Sequence, residues 1–223
     1  MNALCRLIFI FIALLAGMSQ SAAADTTQLI ASLKQGGYVL VFRHTATDDS
    51  QKDVYPFKFD DMNAQRQLSE KGRDTARQIG AAVKAFAIPI GDVFTSRLNR
   101  AVEAGRLISG REVQPVDALT DSSNASASGM ANPAGANTKA GQAMRQLVDA
   151  PPKPGTNTVL VTHKTNFADA FGKDAGDVQE GEAFIYQLQG SYQAQSSYQA
   201  QGSGPATFAG RIKPADWTTQ AGK

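Results

Sequence analysis

The chain contains two histidines, and each closes an apolar run. "VLVFRHTATDD" at 39–49 ends its run on Arg43-His44, and "VLVTHKTNF" at 159–167 ends on His163. If both runs are neighbouring strands of one sheet, the two imidazoles leave the same edge, although they lie far apart in sequence. A third run, "DVFTS" at 92–96, is followed one turn later by Arg100. Two imidazoles and two guanidiniums gathered at one edge make an anion site. A phosphoryl group suits it better than a carboxylate, because its several oxygens use several planar donors at once. Arginines aimed at those oxygens supply positioning and charge stabilisation, the main needs of phosphoryl transfer. A neutral histidine held among them is placed to attack phosphorus in line.

The elements that must position these residues follow from periodicity. "YVLVF" (38–42), "DVFTS" (92–96), "TVLVT" (158–162) and "AFIYQLQ" (183–189) are short apolar runs of the kind buried on both faces of a sheet. Between them lie helical patterns. "QLIASLKQGG" (28–37) ends on a Gly pair. After Ser69, a capping residue, the stripe Ala76, Ile79, Val83 and Phe86 repeats at three and four, and Pro89 closes it. Leu98, Ala101, Val102, Gly105 and Ile108 form a second stripe, and "QAMRQLV" a third helix. Strands alternating with helices predict one α/β domain, a three-layer α/β/α sandwich around a mostly parallel sheet. In such folds ligands sit beyond the carboxyl ends of the strands, and a helix starting near Thr165-Asn166 adds its N-terminal dipole there.

The first 24 residues are set apart. Arg6, an apolar core from Leu7 to Leu15, and Ala22-Ala23-Ala24 have the layout of a secretory signal peptide cut after Ala24. The core is too short for a membrane span, which needs ~20 residues. Met18 stands where a lipoprotein would carry cysteine, so the expectation is a secreted or periplasmic domain of residues 25–223 without a membrane anchor. The single cysteine, Cys5, leaves with the signal, so neither a disulfide nor a thiolate metal site is expected. A formal net charge of +2, reduced by one when Arg6 is removed, gives no reason to expect nucleic acid or membrane as partner.

Residues 120–141, "TDSSNASASGMANPAGANTKAG", are small, polar and Gly-rich, a composition of functional flaps or disorder. "SYQAQ" recurs at 191–195 and 197–201 and suits a surface hairpin. The aspartates at 48, 49, 53, 60 and 61 lack the spacing of a calcium loop and read as a solvated loop.

With "LSEKGRDTARQIG", "FTSRLNRAVEAGRLI" and "GEAFIY" standing in order between and after the two histidine motifs, the chain resembles the histidine phosphatase superfamily, phosphoglycerate mutase-like branch, over Tyr38–Tyr186. The resemblance implies a phosphoric monoester hydrolase in which His44 becomes phosphohistidine and Arg43, Arg100 and His163 hold the phosphate. It implies no metal and no cofactor. Arg97 is then a neighbour of the site, since the family's arginine is the one in "LNRA". The substrates it suggests are phosphorylated small molecules such as envelope sugar phosphates.

Two positions depart from the family pattern. Thr45 replaces the glycine that usually follows Arg-His, which restricts the turn while offering a hydroxyl to a phosphate oxygen. The family's proton-donating Glu has a shorter counterpart here in Asp121 of "LTD". Glu182, Glu180, Asp48 and Asp49 are rival donors, with Glu182 the best placed of these, just before the fourth strand. The departures leave open a phosphate-ligand binding protein without turnover. A metal site on the two histidines and a carboxylate is opposed by the adjacent arginines, which repel a cation.

Overall fold

A computed structural model describes residues 26–125, 138–188 and 205–221. The segment read as a signal peptide, the middle of the Gly-rich stretch and the two "SYQAQ" copies lie outside the described residues. Six strands form one sheet: β1 (Tyr38–Arg43), β2 (Ile90–Thr95), β3 (Gln114–Pro115), β4 (Asn157–Thr162), β5 (Ala183–Gln187) and β6 (Thr207–Ile212), in the order β3-β2-β4-β1-β5-β6. The first four of that order run parallel, and β5 and β6 add an antiparallel edge.

Alternation along each strand separates two apolar layers. Leu40 and Phe42 of β1, Val159 and Val161 of β4, and Ile185 of β5 face one side. There they meet α1 (residues 26–33), α2 (Glu70–Ala85), α3 (Asn99–Ser109) and α6 (Pro214–Ala221). Val39, Val41, Leu160 and Phe184 face the other, against α4 (Thr138–Val148) and α5 (Lys164–Phe171). The three-layer α/β/α sandwich is therefore as expected. Ser69 caps α2 as its type predicts, its side chain accepting from the Gly72 amide at 3.1 Å.

Three elements add to the expected set. β3 is two residues long. β6, "TFAGRI", is an exposed edge strand that buries only Ile212, so it carries no apolar run to betray it. The helix α6 brings the fully buried Trp217 against Phe42, ring centroids 6.2 Å apart, and so supports β1 from behind.

The register explains how the two histidine motifs meet. Arg43 pairs with Thr162 across β1 and β4, and the His44 amide continues the ladder to the Thr162 carbonyl at 3.0 Å. His44 and His163 therefore leave adjacent parallel strands at the same level. On the other side of β4, Thr95 pairs with Val161 and the Ser96 amide donates to the Val161 carbonyl at 2.9 Å. Ser96 Oγ then accepts from the Leu98 amide at 3.1 Å, turning the chain into α3, where Arg100 is the second residue.

Candidate active site

His44 and His163 are both buried, with ring centroids 5.1 Å apart and planes at 60°. His44 Nδ1 lies 2.8 Å from the Thr45 carbonyl. A carbonyl can only accept, so in the neutral ring Nδ1 carries the proton and Nε2 keeps its lone pair. Burial holds His44 well below its ordinary value of 6.5, and the positions of His163, Arg100 and Arg43 lower it further, against a smaller opposing effect of the Thr45 bond. Burial and then Arg100, Arg66 and Arg43 do the same to His163. Among the described residues neither ring nitrogen of His163 has a partner. Both rings are thus pushed towards their neutral forms, His44 with its Nε2 lone pair left open.

Arg43 and Arg100 flank the pair. Arg43 donates from Nη1 to the Val178 carbonyl at 2.9 Å and pairs through Nη2 with Glu180 at 3.2 Å. Arg100 is 1% exposed; its Nη1 donates to Asp53 Oδ1 at 2.9 Å and its Nη2 lies 3.7 Å from Asp121 Oδ2. In both arginines the buried Nε has no partner among the described residues. Each guanidinium is clamped by protein at its far end and keeps a donor in reserve.

Of the sequence candidates, Arg43, His44, Arg100, His163 and Asp121 are brought together. Asp121 Oδ1 accepts from Thr165 Oγ1 at 2.9 Å and from the Ser123 amide at 3.0 Å, which ties the "LTD" segment to the first turn of α5. Asn166, buried beside it, donates to the Thr120 carbonyl at 3.0 Å.

The structure gives Glu182 another partner. It is fully buried, its oxygens accept from Arg211 Nε at 2.8 Å and Nη2 at 3.0 Å, and Oε2 also accepts from the Gln179 amide at 2.8 Å. Glu180, paired with Arg43, is the member of "EGE" that borders the site. Asp48 is taken up by Ser50, whose amide and hydroxyl donate to it at 2.9 and 2.7 Å. Arg97 lies over the Phe59 ring at 4.0 Å and pairs with the exposed Asp117, apart from Arg43 and Arg100.

Thr45 does not strain the turn, since among the described residues the only non-glycine with positive φ is Ala87. Gly181 has φ +76, and a Cβ there would come within 3.1 Å of the Thr45 methyl. Thr45 therefore packs beneath Gly181, whose amide donates to the Arg43 and His44 carbonyls at 3.1 and 3.2 Å. The Thr45 hydroxyl is buried without a partner among the described residues.

Sequence reasoning missed Asp53 and Arg66. The aspartate loop is not wholly solvated: the Asp53 side chain is 9% exposed and reaches Arg100. Both residues sit in a polar, aperiodic loop, and a pairing so distant in sequence leaves no local signal.

Comparison with known proteins gives the family and the fold. The profile of the histidine phosphatase superfamily (branch 1) matches residues 39–162, more than half of the chain. The chain belongs to the histidine phosphatase superfamily. Phosphoserine phosphatase of Entamoeba histolytica in complex with 3-phosphoglyceric acid superposes with a TM-score of 0.52 at 12% identity, over 81% of this chain and 98% of that one. A mutant of that enzyme in complex with phosphoserine gives 0.51 at 11% identity, over 80% and 98%. At such identities the likeness is one of fold. No curated protein matches the chain by sequence.

Proposed function

We propose that this protein is an exported phosphomonoester hydrolase that works through a phosphohistidine at His44, without a metal. The observation that carries the reading is the His44–His163 pair, 5.1 Å apart between two clamped arginines that each keep a buried donor. In the first step His44 Nε2 attacks phosphorus, the N–P bond forms and the P–O bond to the leaving alcohol breaks. Arg43, Arg100 and His163 hold the non-bridging oxygens, with the Thr45 hydroxyl as a further donor beside them.

Asp121 gives the leaving oxygen its proton. It is the carboxylate beside Arg100 whose Oδ2 lies at 3.7 Å rather than in a short ion pair. In the second step water attacks phosphorus, Asp121 takes its proton and the N–P bond breaks. Glu182, doubly bonded by Arg211, supports the strand instead.

Metal independence is supported by the guanidiniums around the histidines, which repel a cation. Among the described residues no three His, Cys, Asp or Glu side chains gather as metal ligands. Export rests on the signal-like segment before Asp25. The substrate class is a small phosphorylated molecule, and a location outside the cytoplasm favours sugar phosphates of the envelope.

The test uses p-nitrophenyl phosphate. Wild type releases p-nitrophenol in the presence of a chelator and His44→Ala does not. Brief mixing with labelled substrate leaves acid-labile label on His44. Equal release by both proteins, or none by either, removes the reading; phosphate binding without release supports a ligand-binding protein.

A further inference from the structure

We propose that Arg66 is a third guanidinium of the anion site, a substrate-binding residue whose fork takes the oxygens of the bound phosphoryl group. The inference rests on the hydrolase reading for the identity of the anion.

The backbone of Arg66 is built into the support of Arg100. Its amide donates to Asp53 Oδ1 at 2.9 Å, and its carbonyl accepts from Arg100 Nη1 at 3.4 Å. The residues on either side are pinned. Gln65, 1% exposed, donates to the Lys58 and Phe59 carbonyls at 2.9 Å and accepts from the Asn99 amide at 2.9 Å. Gln67 accepts from the Asn99 side chain and donates to the Met62 carbonyl. Segment 65–67 is therefore fixed against the start of α3, and the Arg66 side chain departs from a rigid base.

Among the described residues that side chain has no partner. Its Nε is buried and unpaired, and among the described residues no carboxylate or carbonyl receives its guanidinium. Arg43 has Glu180, and Arg100 has Asp53 and Asp121; Arg66 alone of the three lacks a counter-ion. Burial does most to push Arg43 and His163 towards their neutral forms, and the charge of Arg66 acts on both in the same direction. A half-buried cation that repels its neighbouring cations destabilises the unliganded fold. A phosphoryl dianion reverses that repulsion, and a planar fork with all its N–H groups unclaimed suits its oxygens. The two clamped arginines offer Nε edges; Arg66 offers the whole fork.

The experiment compares wild type, Arg66→Met and Arg66→Lys by thermal unfolding with and without inorganic phosphate, by calorimetric titration with inorganic phosphate, and by p-nitrophenyl phosphate kinetics. In Arg66→Met the unfolding midpoint without phosphate stays level or rises, because repulsion has been removed. Its phosphate affinity falls roughly 10- to 100-fold, the effect of losing charge-assisted hydrogen bonds, and the phosphate-induced rise in midpoint shrinks accordingly. Lys, with charge but no fork, recovers part of the affinity. Undiminished phosphate affinity in Arg66→Met overturns the inference, as does a midpoint that collapses in both variants. Either result leaves the hydrolase reading intact if wild type turns over substrate. A wild type that neither binds phosphate nor releases product removes both.

Discussion

Replacing Glu182 separates two roles that a carboxylate in this position can have. Three bonds reach it at 2.8–3.0 Å, two from Arg211 and one from the Gln179 amide, and its side chain is wholly buried while that of Arg211 is 31% exposed. Breaking a buried pair by removing one partner costs about 3–5 kcal/mol. Partial exposure of Arg211 places Arg211→Met near the lower end, about 3 kcal/mol. Glu182→Gln keeps an acceptor but turns amide hydrogens towards guanidinium hydrogens, about 1–3 kcal/mol. In a domain of this size each kcal/mol moves Tm by roughly 2–4 °C, so Arg211→Met melts about 6–12 °C below wild type. At 25 °C, where both variants remain folded, kcat on p-nitrophenyl phosphate stays within about threefold of wild type. Loss of a general acid costs about 10²–10⁴ in rate. An unchanged melting curve together with a hundredfold lower kcat in Glu182→Gln would refute the structural role and move the proton donor from Asp121 to Glu182.

Asp121→Asn is expected to do the reverse, lowering kcat at least ~100-fold while Tm changes little, as paired kinetics and calorimetry will read. Gly72→Ala should be damaging out of proportion to one methyl: its Cβ would lie 1.9 Å from the Ala46 carbonyl oxygen, so α2 must withdraw from the turn after His44. A loss of about 1–3 kcal/mol and a lower kcat/KM are expected in denaturant titration and kinetics. Both histidines are held below 6.5 by burial, so just under that pH the unfolded chain binds protons that the folded one does not. The stability that the two neutral rings contribute is then present above the ordinary histidine range and is lost as pH falls below 6.5. Urea titrations of wild type against a variant lacking both histidines check this, and a pH-independent difference contradicts it.

Four strands and the helices between them were legible because each buries an apolar run or stripe, and burial on both faces leaves a continuous signal. The pair His44 and His163 was legible for the same reason: each terminates such a run, and parallel register does the rest. Trp217 and β6 were harder, since an edge strand that buries one residue has no pattern. Asp53 and Arg66 were invisible because their partners are fixed by loop closure, and loops carry no period. Glu182 misled through its place before a strand. Position in sequence put it near the site, and Arg211, from an unrecognised strand, holds it in a buried ion pair.

On the proposed function, the arrangement of charges answers the need to keep a phosphate site folded when no phosphate is present. Several guanidiniums at one buried edge repel one another, and each carboxylate added to neutralise them also repels the substrate. The structure resolves this by placing the carboxylates at the outer ends: Glu180 and the Val178 carbonyl hold Arg43 by its Nη atoms, and Asp53 holds Arg100 by Nη1. The Nε edges, one from each, remain unpaired and buried. A clamped guanidinium has already lost its rotamer freedom, so binding an anion orders less of the side chain. Neutral histidines fit the same logic, because a protonated ring beside these arginines would be both costly and unable to attack phosphorus.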